Sequence, residues 1–165
     1  TAVGQLRNLG YNISDQSVYD AFAHVTSLTG LMGRWQQLES SPRLICDTGH
    51  NTGGIQYIVR QLQNESYQNL RIIIGMVNDK DISGVLAMLP QNAVYYFTRA
   101  SISRALPEER LYELAIKAGL TGKCYPSVQQ AVEAAKKESR PDDLIFVGGS
   151  TFIVADLLKT MLSQQ

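Results

Sequence analysis

The stretch that decides the fold is Leu44-Ile45-Cys46-Asp47-Thr48-Gly49-His50-Asn51-Thr52-Gly53-Gly54. It begins as a short apolar run, which is typical of a buried strand, and it ends in glycines that open a helical pattern. An acid, a histidine and an asparagine lie between the strand and the helix. In open α/β folds, ligands bind at the carboxyl edge of the sheet, so this turn bears on both the fold and the function.

The turn has two interpretations. Gly49 supplies backbone freedom and Asn51 or Thr52 caps the helix, which makes an ordinary strand-helix connection. Alternatively, Asp47 lies over the sheet edge, where a carboxylate suits the hydroxyl pair of a ribose, and His50 meets an anion or an amino acid carboxylate near the helix start. The turn is neither GxGxxG nor a P-loop, so taken alone it leaves both interpretations open.

Composition excludes several classes of protein. The chain has 165 residues, enough for one domain with a small appendage, and its 15 basic and 15 acidic side chains give a formal charge of zero. We therefore expect no general binding to nucleic acid or to anionic membranes. The longest apolar stretch, at 72–77, is far shorter than the roughly 20 residues that span a bilayer, and no signal-peptide pattern is present. These features predict a cytoplasmic protein.

The two cysteines, Cys46 and Cys124, lie in apolar runs and have no CxxC spacing. This pattern predicts buried thiols without a disulfide. It also supplies no framework for a metal site.

From Leu44 onward, short β-like runs alternate with amphipathic helical ones, a pattern typical of a mostly parallel sheet with helices on both faces. The predicted strands are 34–38, 44–46, 71–75, 94–98, 123–125 and 144–147. The predicted helices are 53–62, 82–89, 107–118, 128–139 and 151–162. The connection 40–42 is too short for a crossover, so strand 34–38 is expected to be an antiparallel edge strand. The sequence thus predicts a Rossmann-like, three-layer α/β domain with about six strands.

The first 29 residues follow a different pattern. They predict two helices, 3–9 and 18–28, with Ser14 or Asp15 as a possible N-cap of the second. No strand precedes these helices, so they are either an N-terminal decoration or the last helices of another domain. His24 lies on the apolar stripe of the second helix, and we expect it to be packed rather than functional.

The connection after strand 71–75 is a second candidate site. Lys80 could hold a phosphate or a carboxylate, and Asp79 and Asp81 could hold a cation or an amine. Asp81 is equally suited to cap the following helix, and an exposed Asp-Lys-Asp run is common in solvated loops. In isolation, the cap and solvated loop are the favoured interpretation.

Two further positions complete the candidates. Gly148 and Gly149 would let a ligand approach the chain, and Ser150 or Thr151 would offer a hydroxyl at a helix start. This is not a nucleophile elbow, because Phe152 stands where GxSxG requires glycine. Arg34, beside Trp35, could bind phosphate or stack on a base, although pairing with a surface carboxylate is an equal alternative.

Taken together, these motifs resemble the C-terminal domain of the Mur ligase superfamily, and within it the branch of bifunctional folylpolyglutamate synthases/dihydrofolate synthases. The motifs that carry the resemblance are TGLMGRWQ (29–36), ICDTGHN (45–51), GMVNDKD (75–81), RAL (104–106) and VGGS (147–150). Their order and spacing agree with that branch over about Gly30 to Leu158.

The resemblance implies a function. In that family, a central P-loop domain binds ATP and Mg²⁺, a pteroate or folate carboxylate is phosphorylated to an acyl phosphate, and the amine of L-glutamate attacks it. Residues 1–29 would be the helical tail of the central ATPase domain, and residues 30–165 the Rossmann-like C-terminal domain. That central domain would be the partner within the same polypeptide.

By motif, the resemblance also implies residue roles. Arg34 and Asp47 would bind ATP, and His50 and Ser150 would place the incoming glutamate. Further residues would line the cleft in roles that the resemblance does not specify: Asn51, Asp79, Lys80, Asp81 and Gly149. It implies no catalytic residue and no metal ligand within this segment.

The sequence departs from the whole-enzyme pattern because it contains no GxxxxGK[ST]; Gly122-Lys123 is followed by Cys124. We therefore predict that this chain alone neither hydrolyses ATP nor ligates glutamate, and binds no cofactor tightly. Three alternatives remain open: a stand-alone nucleotide or amino acid binding domain of Rossmann-like shape, a scaffold, and a hydrolase that uses Ser150, His50 and Asp47.

Overall fold

The computed structural model describes residues 1–78 and 81–162. The chain divides into two compact units, Thr1–Met32 and Gly33–Gln165. Among the described residues, no helix is both long enough and apolar enough to cross a membrane.

The first unit contains helices α1 (Ala2–Asn8), α2 (Asp15–Ala23) and α3 (Val25–Thr29). Ser14 caps α2 by accepting a hydrogen bond from the backbone N–H of Ser17 at 3.0 Å, which confirms one of the two predicted caps. None of the residues in these helices is buried.

The prediction of one continuous helix over 18–28 is wrong. The chain breaks at His24, whose φ of −118° is not helical. His24 is also exposed, and its Nδ1 lies 2.9 Å from the carbonyl oxygen of Asp20. The apolar stripe suggested a packed histidine, but Tyr19 and Phe22 are 71% and 74% exposed, so no core forms around the stripe within this unit.

The second unit alternates strands and helices as predicted. Its strands are β1 (Gln36–Ser40), β2 (Arg43–Cys46), β3 (Leu70–Ile74), β4 (Val94–Thr98), β5 (Thr121–Tyr125) and β6 (Leu144–Gly148). Its helices are α4 (Thr52–Asn64), α5 (Ile82–Met88), α6 (Glu108–Lys117), α7 (Val128–Glu138) and α8 (Thr151–Leu162).

The strands form one sheet of six in the order β1-β2-β6-β3-β4-β5. β1 pairs antiparallel with β2, and every other pair is parallel. The predicted three-layer α/β fold with one antiparallel edge strand is therefore confirmed.

Helices cover both faces of the sheet, so the central strands are apolar on both sides. Ile72 and Ile74 of β3 pack with α4, α5 and α6, whereas Ile73 packs with α7 and α8. Cys46 is fully buried and Cys124 is partly buried, and both thiols are free. The prediction of a buried thiol therefore holds for Cys46 and only in part for Cys124.

The first strand begins two residues later than predicted. Gly33 has a φ of 73° and Trp35 a φ of 42°, both in the left-handed region. An extended strand needs negative φ, so β1 cannot begin before Gln36. Propensity alone did not reveal this, because tryptophan rarely adopts positive φ.

Candidate functional site

Three strand-helix loops meet at the carboxyl edge of the sheet. Cys46 of β2 lies opposite Val147 of β6, and Ile74 of β3 lies opposite Gly148 of β6. The pairing continues just beyond the strands, where Asp47 N–H donates to the carbonyl of Val147 at 3.1 Å. The structure thus brings together the loops after β2, β3 and β6, as the sequence predicted.

Asp47 lies half-buried at the start of the loop after β2, and both of its carboxylate oxygens are engaged. Oδ1 accepts from Gly49 N–H at 2.7 Å, and Oδ2 accepts from Trp35 N–H at 2.7 Å. The first bond closes a turn within the loop, and the second reaches the segment before β1. Hydrogen bonds to an ionised carboxylate are about twice as strong as neutral ones, so Asp47 links the two segments firmly.

The segment 33–36 before β1 is held at three points. Besides Trp35 N–H on Asp47, Thr48 N–H donates to the carbonyl of Gly33 at 2.9 Å, and Gly33 N–H donates to Gln36 Oε1 at 2.8 Å. A non-glycine residue at positive φ costs about 1–3 kcal/mol. The bond from Asp47 to Trp35 N–H offsets that cost, because it is made at the strained residue itself.

Arg34 lies in the middle of this segment and is exposed. Within residues 1–78 and 81–162, its guanidinium makes no hydrogen bond or ion pair. The predicted alternative of a surface carboxylate partner is therefore not realised in this part of the chain. An exposed guanidinium at a sheet edge presents five N–H donors to an anion.

Gly49 is needed for space rather than for backbone freedom, which corrects the expectation from the sequence. Its φ is not positive, but a Cβ there would lie 2.6 Å from Ile58 Cδ1 and 3.1 Å from Asp47 Oδ1. Any side chain at Gly49 would therefore displace the terminal methyl group of Ile58 and crowd the Asp47 carboxylate.

His50 lies half-buried next along the same loop, and its ring has a defined hydrogen-bond partner. Nδ1 lies 3.0 Å from the carbonyl oxygen of Thr48. A carbonyl only accepts, so Nδ1 carries the proton and Nε2 is the acceptor in the neutral ring. In the neutral ring, Nε2 can accept a hydrogen bond from an amine. In the protonated ring, Nε2 can donate a hydrogen bond to a carboxylate.

Two of the predicted cleft residues act as helix caps. Asn51 accepts from Gly54 N–H at 2.8 Å and caps α4, and Asp81 accepts from Gly84 N–H at 3.0 Å and caps α5. Both are exposed. Asp79 and Lys80 lie outside the described residues.

The loop after β6 places a hydroxyl beside the turn of β2. Ser150 is 3% exposed, and its Oγ accepts from Phe152 N–H at 3.2 Å. Gly149 has a φ of 88°, and a Cβ there would lie 2.7 Å from Ile74 Cγ1. Gly148 has no room either, since its Cβ would lie 2.9 Å from the carbonyl oxygen of Asp47. Gly148 therefore lets the end of β6 approach the loop after β2, and Gly149 lets it approach the end of β3.

A further tie joins the loop after β3 to the segment 104–106. Val77 and Ala105 form an isolated antiparallel bridge, and Leu106 N–H donates to the carbonyl of Met76 at 2.9 Å. The guanidinium of Arg104 stands 4.9 Å from the ring centroid of Phe152, two residues after Ser150. The sequence singled out RAL only as a matching motif, and the structure gives it a supporting role at the same edge.

The buried Cys46 thiol is not an activated nucleophile, and no metal centre is evident in the described part of the chain. Burial, with the charge of Asp47 as a second cause, raises the pKa of Cys46 to about 12, so the thiol stays protonated. Among residues 1–78 and 81–162, no group of three or more His, Cys, Asp or Glu side chains could hold a metal ion. The groups that the site presents, namely Nε2 of His50, the Ser150 hydroxyl and the exposed Arg34 guanidinium, are suited to binding and positioning.

Sequence reasoning did not identify the contacts that hold the site together. The sequence marks Trp35 only as a neighbour of Arg34, and it does not indicate the roles of Gly33, Thr48 and Gln36. The glycine that follows Leu31-Met32 was the only available signal, because glycine is the residue that most readily adopts positive φ.

Comparison with known proteins agrees with this geometry. Residues 33–151 match the family model for the Mur ligase, glutamate ligase domain. The chain is similar to the dihydrofolate synthase/folylpolyglutamate synthase of Escherichia coli, with 32% identity over 98% of this chain and 37% of that protein. It is also similar to a probable bifunctional folylpolyglutamate synthase/dihydropteroate synthase of Haloferax volcanii, at 29% identity over 78% of this chain and 15% of that protein.

Solved structures show the same fold. E. coli FolC in complex with DHPP and ADP superposes with a TM-score of 0.83 at 29% identity, over 99% of this chain and 38% of that one. A bifunctional folylpolyglutamate synthase/dihydrofolate synthase with Mn, AMPPNP and L-glutamate bound gives a TM-score of 0.80 at 26% identity, over 98% and 38%. The chain thus spans little more than a third of the length of these relatives. By its sequence and its fold, it belongs to the Mur ligase family, as a glutamate ligase domain.

Proposed function

We propose that this chain is the C-terminal domain of an ATP-dependent ligase that joins L-glutamate to a pteroate or folate carboxylate. One observation carries the proposal: the loops with Asp47, His50 and Ser150 follow two strands that are paired side by side at the carboxyl edge. This edge is the ligand-binding edge of open α/β sheets. The names of the similar proteins support the same substrate class.

In the proposed reaction, a carboxylate oxygen of the folate attacks the γ-phosphorus of ATP, and ADP leaves with an acyl phosphate as the other product. The amine of glutamate then attacks the acyl carbon, the C–O bond to phosphate breaks, and an amide and inorganic phosphate result. Glutamate supplies its own nucleophile, so this domain contributes by positioning. Positioning is able to lower a bimolecular barrier by about 7–11 kcal/mol.

Arg34 is the described residue that best fits the nucleotide, because its exposed guanidinium has no partner within residues 1–78 and 81–162. The described residues do not fit a Mg²⁺ site, since no carboxylate cluster is present among them and both oxygens of Asp47 accept backbone N–H groups. We therefore assign Mg²⁺ to a central P-loop domain of the same polypeptide.

His50 and Ser150 are proposed to hold glutamate. Nε2 of His50 remains available once Nδ1 is bonded to Thr48, and the Ser150 hydroxyl hydrogen remains available because its oxygen only accepts from Phe152. Together they offer a nitrogen for the amine or carboxylate and an O–H donor for a carboxylate. Gly149 lets the ligand approach the backbone.

The first unit, Thr1–Met32, is proposed to belong to the central ATPase domain. It has no buried residue in its helices, and it exposes large apolar side chains, including Leu9, Tyr19, Phe22 and Leu28. An exposed apolar set of this kind is expected to pack against another domain.

Since ATP is a proposed substrate, we also place the enzyme in the cytoplasm.

Kinetics of the intact enzyme test the assignment. Ser150→Ala and His50→Ala should each weaken glutamate use by about 1–3 kcal/mol, as expected for the loss of a buried polar partner. Ser127→Ala is the matched control, because Ser127 caps α7 at another loop and its oxygen also accepts a backbone N–H. If glutamate saturation is the same in all three variants and in the unmodified enzyme, the glutamate site is not here.

A second experiment separates the ligase from a stand-alone binding domain. The purified 165-residue chain should show no ATP- and folate-dependent incorporation of glutamate above a P-loop variant of the full enzyme. The gene should also encode a P-loop upstream of this segment. A start codon near Thr1 with no P-loop, or a chain that binds ATP or glutamate tightly alone, would favour the binding domain instead.

A further inference from the structure

We infer that this domain has a second ligand site, in an open cavity outside the carboxyl ends of β4 and β5, which takes a small molecule with an apolar body and a carboxylate or phosphate group. Arg99 is the residue assigned to bind the anionic group. The inference does not depend on the proposed ligase activity, because the loops with Asp47, His50 and Ser150 follow other strands, β2 and β6.

The cavity has the size of a small-molecule site. Its volume is about 450 Å³, within the roughly 300–1,000 Å³ that is usual for such sites. Three elements enclose it, namely the loop after β4, the start of α7 and the middle of α8. Ala100, Pro126 and Val128 supply apolar lining, and Ala100 and Val128 are buried. An apolar body of a ligand is therefore matched by this part of the wall.

Arg99 lines the cavity with unused hydrogen-bond donors. Its side chain is 49% exposed, and its Nε lies 3.3 Å from Oε2 of Glu108, whose side chain is only 5% exposed. Oε2 accepts no hydrogen bond, and the Arg99 guanidinium donates none within residues 1–78 and 81–162. The buried charge of Glu108 thus holds Arg99 in place by attraction, while the guanidinium N–H groups remain for an anion.

The start of α7 adds backbone donors to the same cavity. The first N–H groups of a helix have no carbonyl partner inside it, and Val128 and Gln129 are the first two residues of α7. Both of them line the cavity. The helix has 11 residues, and the positive end of its dipole favours a negative group at this point. Side-chain and backbone donors therefore attract the same kind of ligand.

The remaining charges leave the lining positive. Lys159 contributes a second cation, and Asp156 is the one acid that lines the cavity among the described residues. The carboxylate of Asp156 accepts from Ser101 N–H at 2.7 Å and from the Ser101 hydroxyl at 2.8 Å, which offsets part of its charge. These two bonds also tie the loop after β4 to α8, so the wall is in place before a ligand binds.

Nuclear magnetic resonance of the 165-residue chain tests the inference. Three probes of similar shape are titrated at constant ionic strength: phenyl phosphate, benzoate and the neutral benzyl alcohol. At least one of the two anions should shift the amide signals of Ser101, Val128 and Gln129 in a saturable way, and benzyl alcohol should not. The anion with the lower Kd identifies phosphate or carboxylate as the preferred group.

Variants assign the binding to Arg99. Arg99→Gln should raise the Kd of the anion about tenfold, as expected for the loss of hydrogen bonds to a charged group. Arg60→Gln is the matched control, because Arg60 is also exposed and makes no hydrogen bond or ion pair within the described residues, but lies on α4. Its Kd should equal that of the unmodified chain.

A further pair of variants separates binding from folding, since Arg99→Gln leaves the buried Glu108 without its cation. The double variant Arg99→Gln/Glu108→Gln removes both charges and should bind as weakly as Arg99→Gln. Glu108→Gln alone should still bind the anion, because it keeps Arg99.

The inference would be overturned by the absence of a saturable shift with either anion at about 10 mM. Equal binding of benzyl alcohol would overturn it too, and so would an unchanged Kd in both variants that lack Arg99. Shifts confined to the amides of Gly49, His50 and Ser150 would place the anion at the site after β2 and β6, and not in this cavity.

Discussion

The two edges of the sheet satisfy their polar groups in different ways. At the amino edge, Asp143 accepts from Arg71 Nε at 3.2 Å and from Asn69 Nδ2 at 2.8 Å, and Tyr96 donates to Glu138 at 2.6 Å. There, side chains pair with one another, and Asp143 accepts in addition from the backbone N–H groups of Asn69 and Arg140, both at 3.1 Å. At the carboxyl edge, Asp47 is held by backbone N–H groups.

This difference separates stability from function. A closed side-chain network leaves little capacity for a ligand, and it rigidifies the elements it joins. Loops held by backbone contacts keep side chains available, as with Arg34, Nε2 of His50 and the hydroxyl hydrogen of Ser150. We therefore expect substitutions at the amino edge to change the free energy of unfolding, and those at the carboxyl edge to change ligand use.

The largest effect on stability is expected for Asp143→Ala. The Asp143 side chain is 0% exposed and the Arg71 side chain only 11%, so the substitution leaves a largely buried guanidinium with Glu138, 3.8 Å away, as its remaining carboxylate partner. The free energy of unfolding should fall by about 3 kcal/mol, measured by urea denaturation. Asp142→Ala, at the exposed neighbouring position, is the control and should change it by no more than about 0.5 kcal/mol. If the free energy of unfolding fell equally in the two variants, the stabilising role of the Asp143 network would be contradicted.

A smaller effect is expected at the carboxyl edge from Gly149→Ala. Because Gly149 has a φ of 88° and a Cβ there would lie 2.7 Å from Ile74 Cγ1, the substitution should lower the free energy of unfolding by about 2 kcal/mol. It should also weaken glutamate use by the intact enzyme. Gly53→Ala is the matched control in the first turn of α4, where an added Cβ would lie 3.6 Å from Asn51 Oδ1, an ordinary contact distance. It should stabilise the chain by about 0.5 kcal/mol. If Gly149→Ala left the free energy of unfolding unchanged, the loop after β6 would be shown to accommodate a side chain without cost.

The smallest effect near neutral pH concerns protonation of the amino-edge network. Burial raises the pKa of Asp143, but hydrogen bonds from Arg140 N–H, Asn69 and Arg71 outweigh it, and the net pKa is lowered. The pKa of Glu138 is also lowered, chiefly by the hydrogen bond from Tyr96. Lowered carboxyl pKa values stabilise the fold above the unfolded pKa, and this contribution is lost as pH falls through the folded values.

Denaturation at a series of pH values checks this prediction. Stability should be flat around neutrality and should fall as pH drops from the ordinary carboxyl range towards the lowered pKa values of the folded state. In Asp143→Asn, the free energy of unfolding should depend less on pH in the acid range, because the variant lacks a carboxyl group whose protonation destabilises the fold. If the pH dependence in acid were the same in that variant as in the unmodified chain, other groups would be responsible for the loss of stability.

Much of the fold was predictable from the sequence because it depends on periodicity. Val94–Thr98 and Thr151–Leu162 have the predicted bounds, and the short connection before Arg43 correctly indicated an antiparallel pair. Hydrophobic periodicity failed at His24, where an amphipathic stripe had no core to cover within its own unit. The stripe specifies a face, but only a partner surface can bury it.

For the site, the sequence by itself determined which chemical groups stand after β2, β3 and β6, because polar residues and glycines at strand ends are local features. Only the tertiary structure decided what those groups do. That Asp47 holds Trp35, and that Gly49 is needed for space against Ile58, depend on contacts between segments that are distant in sequence or on different elements. No local pattern specifies such contacts, since they arise only when the sheet is assembled and its loops are pressed together.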